Sequence, residues 1–266
     1  MNDETLIRFS IFAGALLLFS VLEALFPRRE RVQGRLRRWL TNLSLVISGS
    51  LSLMVLGPLL AVGVAAWASL NEGGLLNLVD WPVWLEFGIA FFVLDFTIWL
   101  QHVATHKIPL LWRLHKVHHA DRDLDASSGV RFHPVEIFLS MLFKCLIVLW
   151  LGPMVLAVVV FEITLNATAI FSHANLKLPV FLDKSLRKII VTPDMHRVHH
   201  SVILRESQKN YGFNFSFWDR LFGTYQPDPS KGQLGMTLGL EDAQVNATQQ
   251  FGWSLWLPFK KSNPNI

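Results

Sequence analysis

From Trp39 to Leu70 the chain carries no charged side chain. About 20 apolar residues suffice to cross a bilayer, and a water-soluble domain seldom writes so long an uncharged stretch. Three further apolar segments point the same way: Leu6–Phe26, Trp84–Gln101 and Val135–Ala174. Hydrophobic residues make up 52% of the 266-residue chain and charged residues 17%, which weighs against an ordinary soluble domain. The expected fold is all-α: an integral membrane helical bundle with a histidine-rich helical cap. It has about four spans, or spans plus a hairpin.

The segments differ in their margins. Arg8 and Glu23 lie near the ends of the first, where they reach the interface. An acidic start and the lack of a small-residue cleavage site read as a retained membrane helix rather than a signal peptide. The uncharged run is longer than one span needs, so it is tilted, partly interfacial or broken near Gly57-Pro58. Val135–Ala174 is split by Leu151-Gly152-Pro153 into two short arms, a hairpin that returns to its own side. The loop Pro27–Arg38 holds six arginines and one glutamate, whereas Asn71–Pro82 has Glu72 and Asp80 and no basic residue. The positive-inside rule then places the arginine loop, and the residues after the third span, in the cytoplasm. A multi-pass protein of a bacterial inner membrane or an endoplasmic-reticulum-type membrane is expected. The net charge of +4 is read as lipid-headgroup contact and not as nucleic-acid binding. The lone Cys145 rules out an internal disulfide and leaves any metal to histidine or carboxylate.

All ten histidines fall between residues 102 and 200. His102 and His106 are spaced to share a helix face. His115-Lys-Val-His118-His119 is echoed by His196-Arg-Val-His199-His200. Within each motif the first histidine lies near the other two on a helix, while the adjacent pair diverges by about 100°. Neighbouring histidines can therefore serve two different ions, and two such motifs face to face would build a dinuclear site. Thr192-Pro193 reads as the start of the helix carrying the second motif. His133-Pro134-Val135-Glu136 reads as a capping box, so His133 is either a ligand or a cap. His173 sits where the hairpin returns toward the other clusters. Asp95, Glu162, Asn166 and Asn175 are candidates to support the ligands, or to make hydrogen bonds between helices.

Imidazole suits iron, zinc, copper and nickel. The residues alone imply a two-metal enzyme in a membrane. Iron is implied if the reaction is oxidative, and zinc if a metal-bound water attacks as in a hydrolase. The remaining alternative is a non-enzymatic membrane protein that binds metal or haem.

The segments DFTIWLQHVATH (Asp95–His106), RFHPVE (Arg131–Glu136), FSHAN (Phe171–Asn175) and NYGFNFSFWDRLFGTY (Asn210–Tyr225), with the two doubled motifs, resemble the fatty acid hydroxylase superfamily. That superfamily is also called the sterol desaturase family. The resemblance covers residues 95–226, within an expected catalytic region of 81–230 that follows the spans of 1–80 and precedes a tail of 231–266. It implies a membrane di-iron oxygenase that hydroxylates or desaturates a lipid with molecular oxygen and two external electrons. It makes His102, His106, His115, His118, His119, His173, His196, His199 and His200 the metal ligands, with zinc as a substitute. His133 matches a position that varies among members, and Val103 stands where many have arginine. Trp218-Asp219 and Phe222-Gly223-Thr224 look like a packing motif. A separate cytochrome-b-like or ferredoxin-like donor is implied. Arg187, Lys188, Arg197 and Arg205 would either attract such an acidic carrier or face headgroups.

Overall fold

The computed structural model describes residues 3–260 of the chain. Among them there is no strand, only helices, turns and three isolated bridges. The long helices are α1 (Asp3–Leu25), α2 (Arg35–Leu53), α3 (Ala61–Leu70), α4 (Val83–Lys107), α5 (Pro109–His119), α6 (Pro134–Leu151) and α7 (Val155–His173). The cap adds α8 (Val180–Leu186), α9 (Pro193–His199) and shorter turns. Five segments are long and apolar enough to cross a bilayer: α1, the stretch Arg35–Leu78, α4, α6 and α7. The chain is a multi-pass membrane protein.

The uncharged run breaks at Gly57-Pro58. There α2 passes through one 3₁₀ turn to Gly57, whose φ of 54° suits glycine, before α3 begins at Ala61. Ala61, Ala65 and Ala68 form a stripe of small buried residues on α3, which packs against α6 and α7. Small residues of this kind let backbones approach closely where lipid supplies no hydrophobic drive. Val148 of α6, Val158 and Phe161 of α7, and Leu94 and Ile98 of α4 complete that core.

The two arms of the hairpin, expected to be short, are each long enough for a span. At 18 and 19 residues each spans about 27–29 Å, close to a full hydrocarbon core. Gly152 closes α6 in the left-handed region at φ 64°. A side chain on Gly152 would come within 2.2 Å of the Gly73 carbonyl oxygen, so the loop before α4 seats directly on the hairpin turn.

At the other end the arginine loop packs onto the histidine cap instead of extending into solvent. Arg28 pairs with Asp194, and Arg29 donates to the carbonyls of Gln233 and Met236. Arg38 is fully buried. Its guanidinium makes a forked contact with Asp121 at 2.7 and 2.9 Å, and reaches Asp125 at 2.7 Å. Burial alone would raise Asp121, but Arg38 holds its carboxyl down at about 2. The segment after residue 231 also returns to the cap: Thr248 bonds Gln33, and Ser254 accepts from Arg131. Residues 261–266 of that tail lie outside the described residues.

Candidate metal centre

Four elements bring nine imidazoles to the end of the bundle where the arginine loop lies. His102 and His106 come from the last turns of α4, His115, His118 and His119 from α5, and His173 from the end of α7. His196 and His199 come from α9, with His200 at its C-cap. They fall into two buried groups: His102, His106, His115, His119 and His199; and His118, His173, His196 and His200. Within each group the nearest ring nitrogens all lie within 4.8 Å of one another.

The doubled motif is used reciprocally. In α5 the first and fifth positions, His115 and His119, join one group while His118 crosses to the other. In α9 the first and fifth positions, His196 and His200, join the second group while His199 crosses to the first. The i and i+4 positions share a helix face and i+3 looks away from its neighbour, so one pattern written twice interlocks the groups.

The ring protons can be placed from their partners. The Nδ1–H of His102 donates to the Tyr211 carbonyl and that of His199 to the Lys209 carbonyl, each at 2.7 Å. His118 donates to the Arg131 carbonyl at 3.1 Å and His173 to the Ala169 carbonyl at 2.7 Å. Burial pushes His118 and His119 well below the usual imidazole range, as it does His196 and His200, and takes His199 to about 3. These rings are neutral, and the Nε2 of a neutral ring that donates from Nδ1 is a bare lone pair. Yet His102 Nε2 faces His199 Nε2 at 3.0 Å, and His118 Nε2 faces His173 Nε2 at 3.1 Å. With each Nδ1 proton committed to a carbonyl, a neutral pair has no proton to share between its Nε2 atoms. Ligands about 2.1 Å from one ion sit about 3.0–3.4 Å apart in octahedral or tetrahedral geometry. The residues present thus fit a cation in each group. The Nε2 atoms of His106 and His119, buried and without a hydrogen-bond partner, fit the first one too.

The partners that orient the rings are mostly backbone carbonyls, but one is a carboxylate. Glu136 Oε1 accepts from His115 Nδ1 at 2.6 Å. Glu136 is therefore not the reciprocal half of a capping box. His133 caps α6 by itself, its Nδ1 accepting from the Val135 N–H, and it belongs to neither group. Carboxylate–imidazole pairs of this kind raise ligand basicity, and their loss costs about 10–100-fold in metal affinity. Glu136→Gln is expected to weaken metal retention by that factor in a competition against a chelator. Unchanged retention would make the contact incidental.

The other candidate supports lie elsewhere. Asp95 accepts from the indole of Trp218 at 2.7 Å and ties the aromatic packing motif to α4. Asp219 of that motif accepts from the Tyr211 and Gly212 N–H groups, which fixes the carbonyl that orients His102. Asn175 bonds the Arg29 backbone, and Asn166 donates to the Glu162 carbonyl. Glu162 pairs with Arg8 and Lys144 inside the bundle. At the start of α9, Thr192 turns its hydroxyl to Asp183 and leaves the helix end uncapped by its side chain. Of the four basic residues considered for a donor, Arg197 is buried against Asp194 and Arg187 pairs with Asp183, which leaves Lys188 and Arg205 on the surface.

A cavity of about 760 Å³ leads from the first group into the bundle. His102, His115 and Glu136 line its inner end, and Ile98, Phe132, Met141, Leu165 and Phe213 line its course. α1 packs on α7 and α2 on α6, and α1 and α2 do not pack along one another. The exposed residues Thr5, Phe9 and Ser50 mark where the cavity opens sideways between them.

A family model described as fatty acid hydroxylase matches residues 87–224, just over half of the sequence, and the chain belongs to that family. An ornithine lipid hydroxylase of Rhizobium tropici is 29% identical over 194 residues, covering 67% of this chain and 54% of that relative. An alkylglycerol monooxygenase of Homo sapiens is 28% identical over 233 residues, covering 85% of this chain and 49% of that relative. The chain spans about half the length of these curated relatives. No solved structure matches it.

Proposed function

We propose that the chain is a membrane lipid oxygenase in which the nine histidines hold two iron ions. The observation that carries this reading is the pairing of bare imidazole lone pairs in two interlocked groups at the inner end of an apolar cavity. Bound iron would supply the activation of molecular oxygen for attack on a C–H bond. The chain itself does the rest. Four of its carbonyls and Glu136 fix the tautomers of His102, His199, His118, His173 and His115, Ile98 and Phe213 beside His102 keep water from the inner end, and the cavity holds an alkyl chain against the first group. The relatives' names, a hydroxylase and a monooxygenase, favour hydroxylation over desaturation. The electrons come from a separate donor of cytochrome-b or ferredoxin type, for which Lys188 and Arg205 are two of the exposed basic residues of the cap. The arginine loop and the histidines lie at one end of the bundle, so the positive-inside rule puts the site on the cytoplasmic face.

The test is the metal content of protein purified from iron-replete cells without exposure to air, followed by oxygen uptake with a reductant and a lipid extract. About two irons per chain, with oxygen consumed in proportion to hydroxylated lipid, is the expected result. Zinc that persists despite abundant iron, together with lipid cleavage that needs no oxygen, would replace this reading with a hydrolase.

A further inference from the structure

The far end of the cavity is charged. Glu4, Arg8, Lys144 and Glu162 line it, though its walls are otherwise mostly apolar. Lys144 reaches Glu162 at 2.7 Å and Arg8 reaches the other Glu162 oxygen at 2.8 Å. The side chains of Lys144 and Glu162 are 10% and 11% exposed, and both sit within helices that cross the apolar layer. Ionisable groups there are costly, face the bundle interior and mark substrate paths.

The donors outnumber the acceptors left to meet them. Both Glu162 oxygens are taken, by Lys144 and by Arg8. An ammonium has three donors, and the Lys144 Nζ donates to Glu162 with one of them. Arg8 Nη2 is buried with no hydrogen-bond partner at all. The two cations face one buried carboxylate. The second carboxylate, Glu4, is 41% exposed on the outer side of Arg8, where solvent screens it. The cluster is thus built to receive a group that only accepts hydrogen bonds and carries negative charge.

We propose that this cluster seats the anionic headgroup of a lipid whose alkyl chain extends through the cavity to the first histidine group. The inference rests on the oxygenase reading for what happens to that chain, but not for the binding itself. The headgroup chemistry is an anionic oxygen, as in a carboxylate or a phosphate monoester. Thr5 and Phe9, exposed residues of α1 that line the cavity on either side of Arg8, put an opening at the same end, so the chain enters first and the headgroup stops at the mouth. Lys144 is eight residues along α6 from Glu136, and Glu162 eleven residues along α7 from His173. At 1.5 Å per residue the cluster therefore lies roughly 12–17 Å from the histidines. The carbon presented to the site is one well down the chain, not one beside the headgroup.

The test is equilibrium binding of palmitate, hexadecyl phosphate and hexadecanol to the full chain in nanodiscs under nitrogen, where no turnover occurs. At least one of the two anionic probes is expected to bind roughly tenfold or more tightly than the alcohol, as a charge-assisted contact warrants. Which one does so separates a fatty-acid carboxylate from a lipid phosphate. Arg8→Gln and Lys144→Met should remove that preference and leave hexadecanol binding in place, and Arg8→Lys should restore part of it. If the unaltered protein binds the alcohol as well as both anions, the proposal fails without recourse to any variant. It also fails if the variants weaken all three probes alike, which is the mark of a purely structural tie. A preference found in a protein that consumes no oxygen would sink the oxygenase reading and leave this one standing.

Discussion

His118→Ala is expected to remove metal from the second histidine group and lower lipid oxidation by more than about a hundredfold, beyond the loss of a supporting partner. The more telling comparison is with its neighbours. His118 shares its group with His196, far away in sequence, and not with the adjacent His119. His118→Ala and His196→Ala should therefore leave the same residual metal signal. His119→Ala and His199→Ala should leave the other. Metal per chain by mass spectrometry, with Mössbauer spectra of iron-57-enriched protein, reads both quantities. Indistinguishable residual signals from His118→Ala and His119→Ala would break the crossed arrangement, whatever the activities.

Arg38→Met should be the most damaging change outside the histidines. The guanidinium is the cation shared by Asp121 and Asp125, and it also donates to the Asp123 carbonyl and the Ser128 hydroxyl. Removing one partner of a buried ion network strands the other charges, at a cost of about 3–5 kcal/mol. The loop that would relax lies between ligands. It begins just after His119, and its 3₁₀ turn Ala126–Val130 lies against α7 close to His173. Gly129 sits where a side chain would come within 2.4 Å of the Ala169 carbonyl, the acceptor that orients His173. Metal retention should thus fall together with the thermal midpoint in detergent. Arg38→Lys keeps the charge but loses the fork, and should fall between. A midpoint unmoved by Arg38→Met would show that this network contributes nothing to stability.

Much of this was legible in the sequence because the features involved are local. A long uncharged run, a glycine–proline break and histidines at helical spacing need no partner to be recognised. The convergence of nine rings follows from three clusters and His173, all placed near helix ends. What the sequence hid depends on distant contacts. Four of the orienting groups are backbone carbonyls, which every residue carries, so nothing marks those of Tyr211, Lys209, Arg131 and Ala169. Glu136 was visible, but its position after His133-Pro134 suggested a helix cap, and only the approach of α5 to α6 reveals its bond to His115. Arg8 looked like an interfacial residue near a helix end. Its partner lies 154 positions later, and no periodicity connects them.

The sideways opening between α1 and α2 bears on how turnover should be counted. A substrate that enters from the lipid phase never equilibrates with the protein through bulk water. Saturation should then follow its mole fraction in the bilayer, not its concentration in the tube. Diluting it with an inert lipid at constant total amount should slow the reaction, whereas diluting the whole vesicle suspension with buffer should leave the rate per protein unchanged.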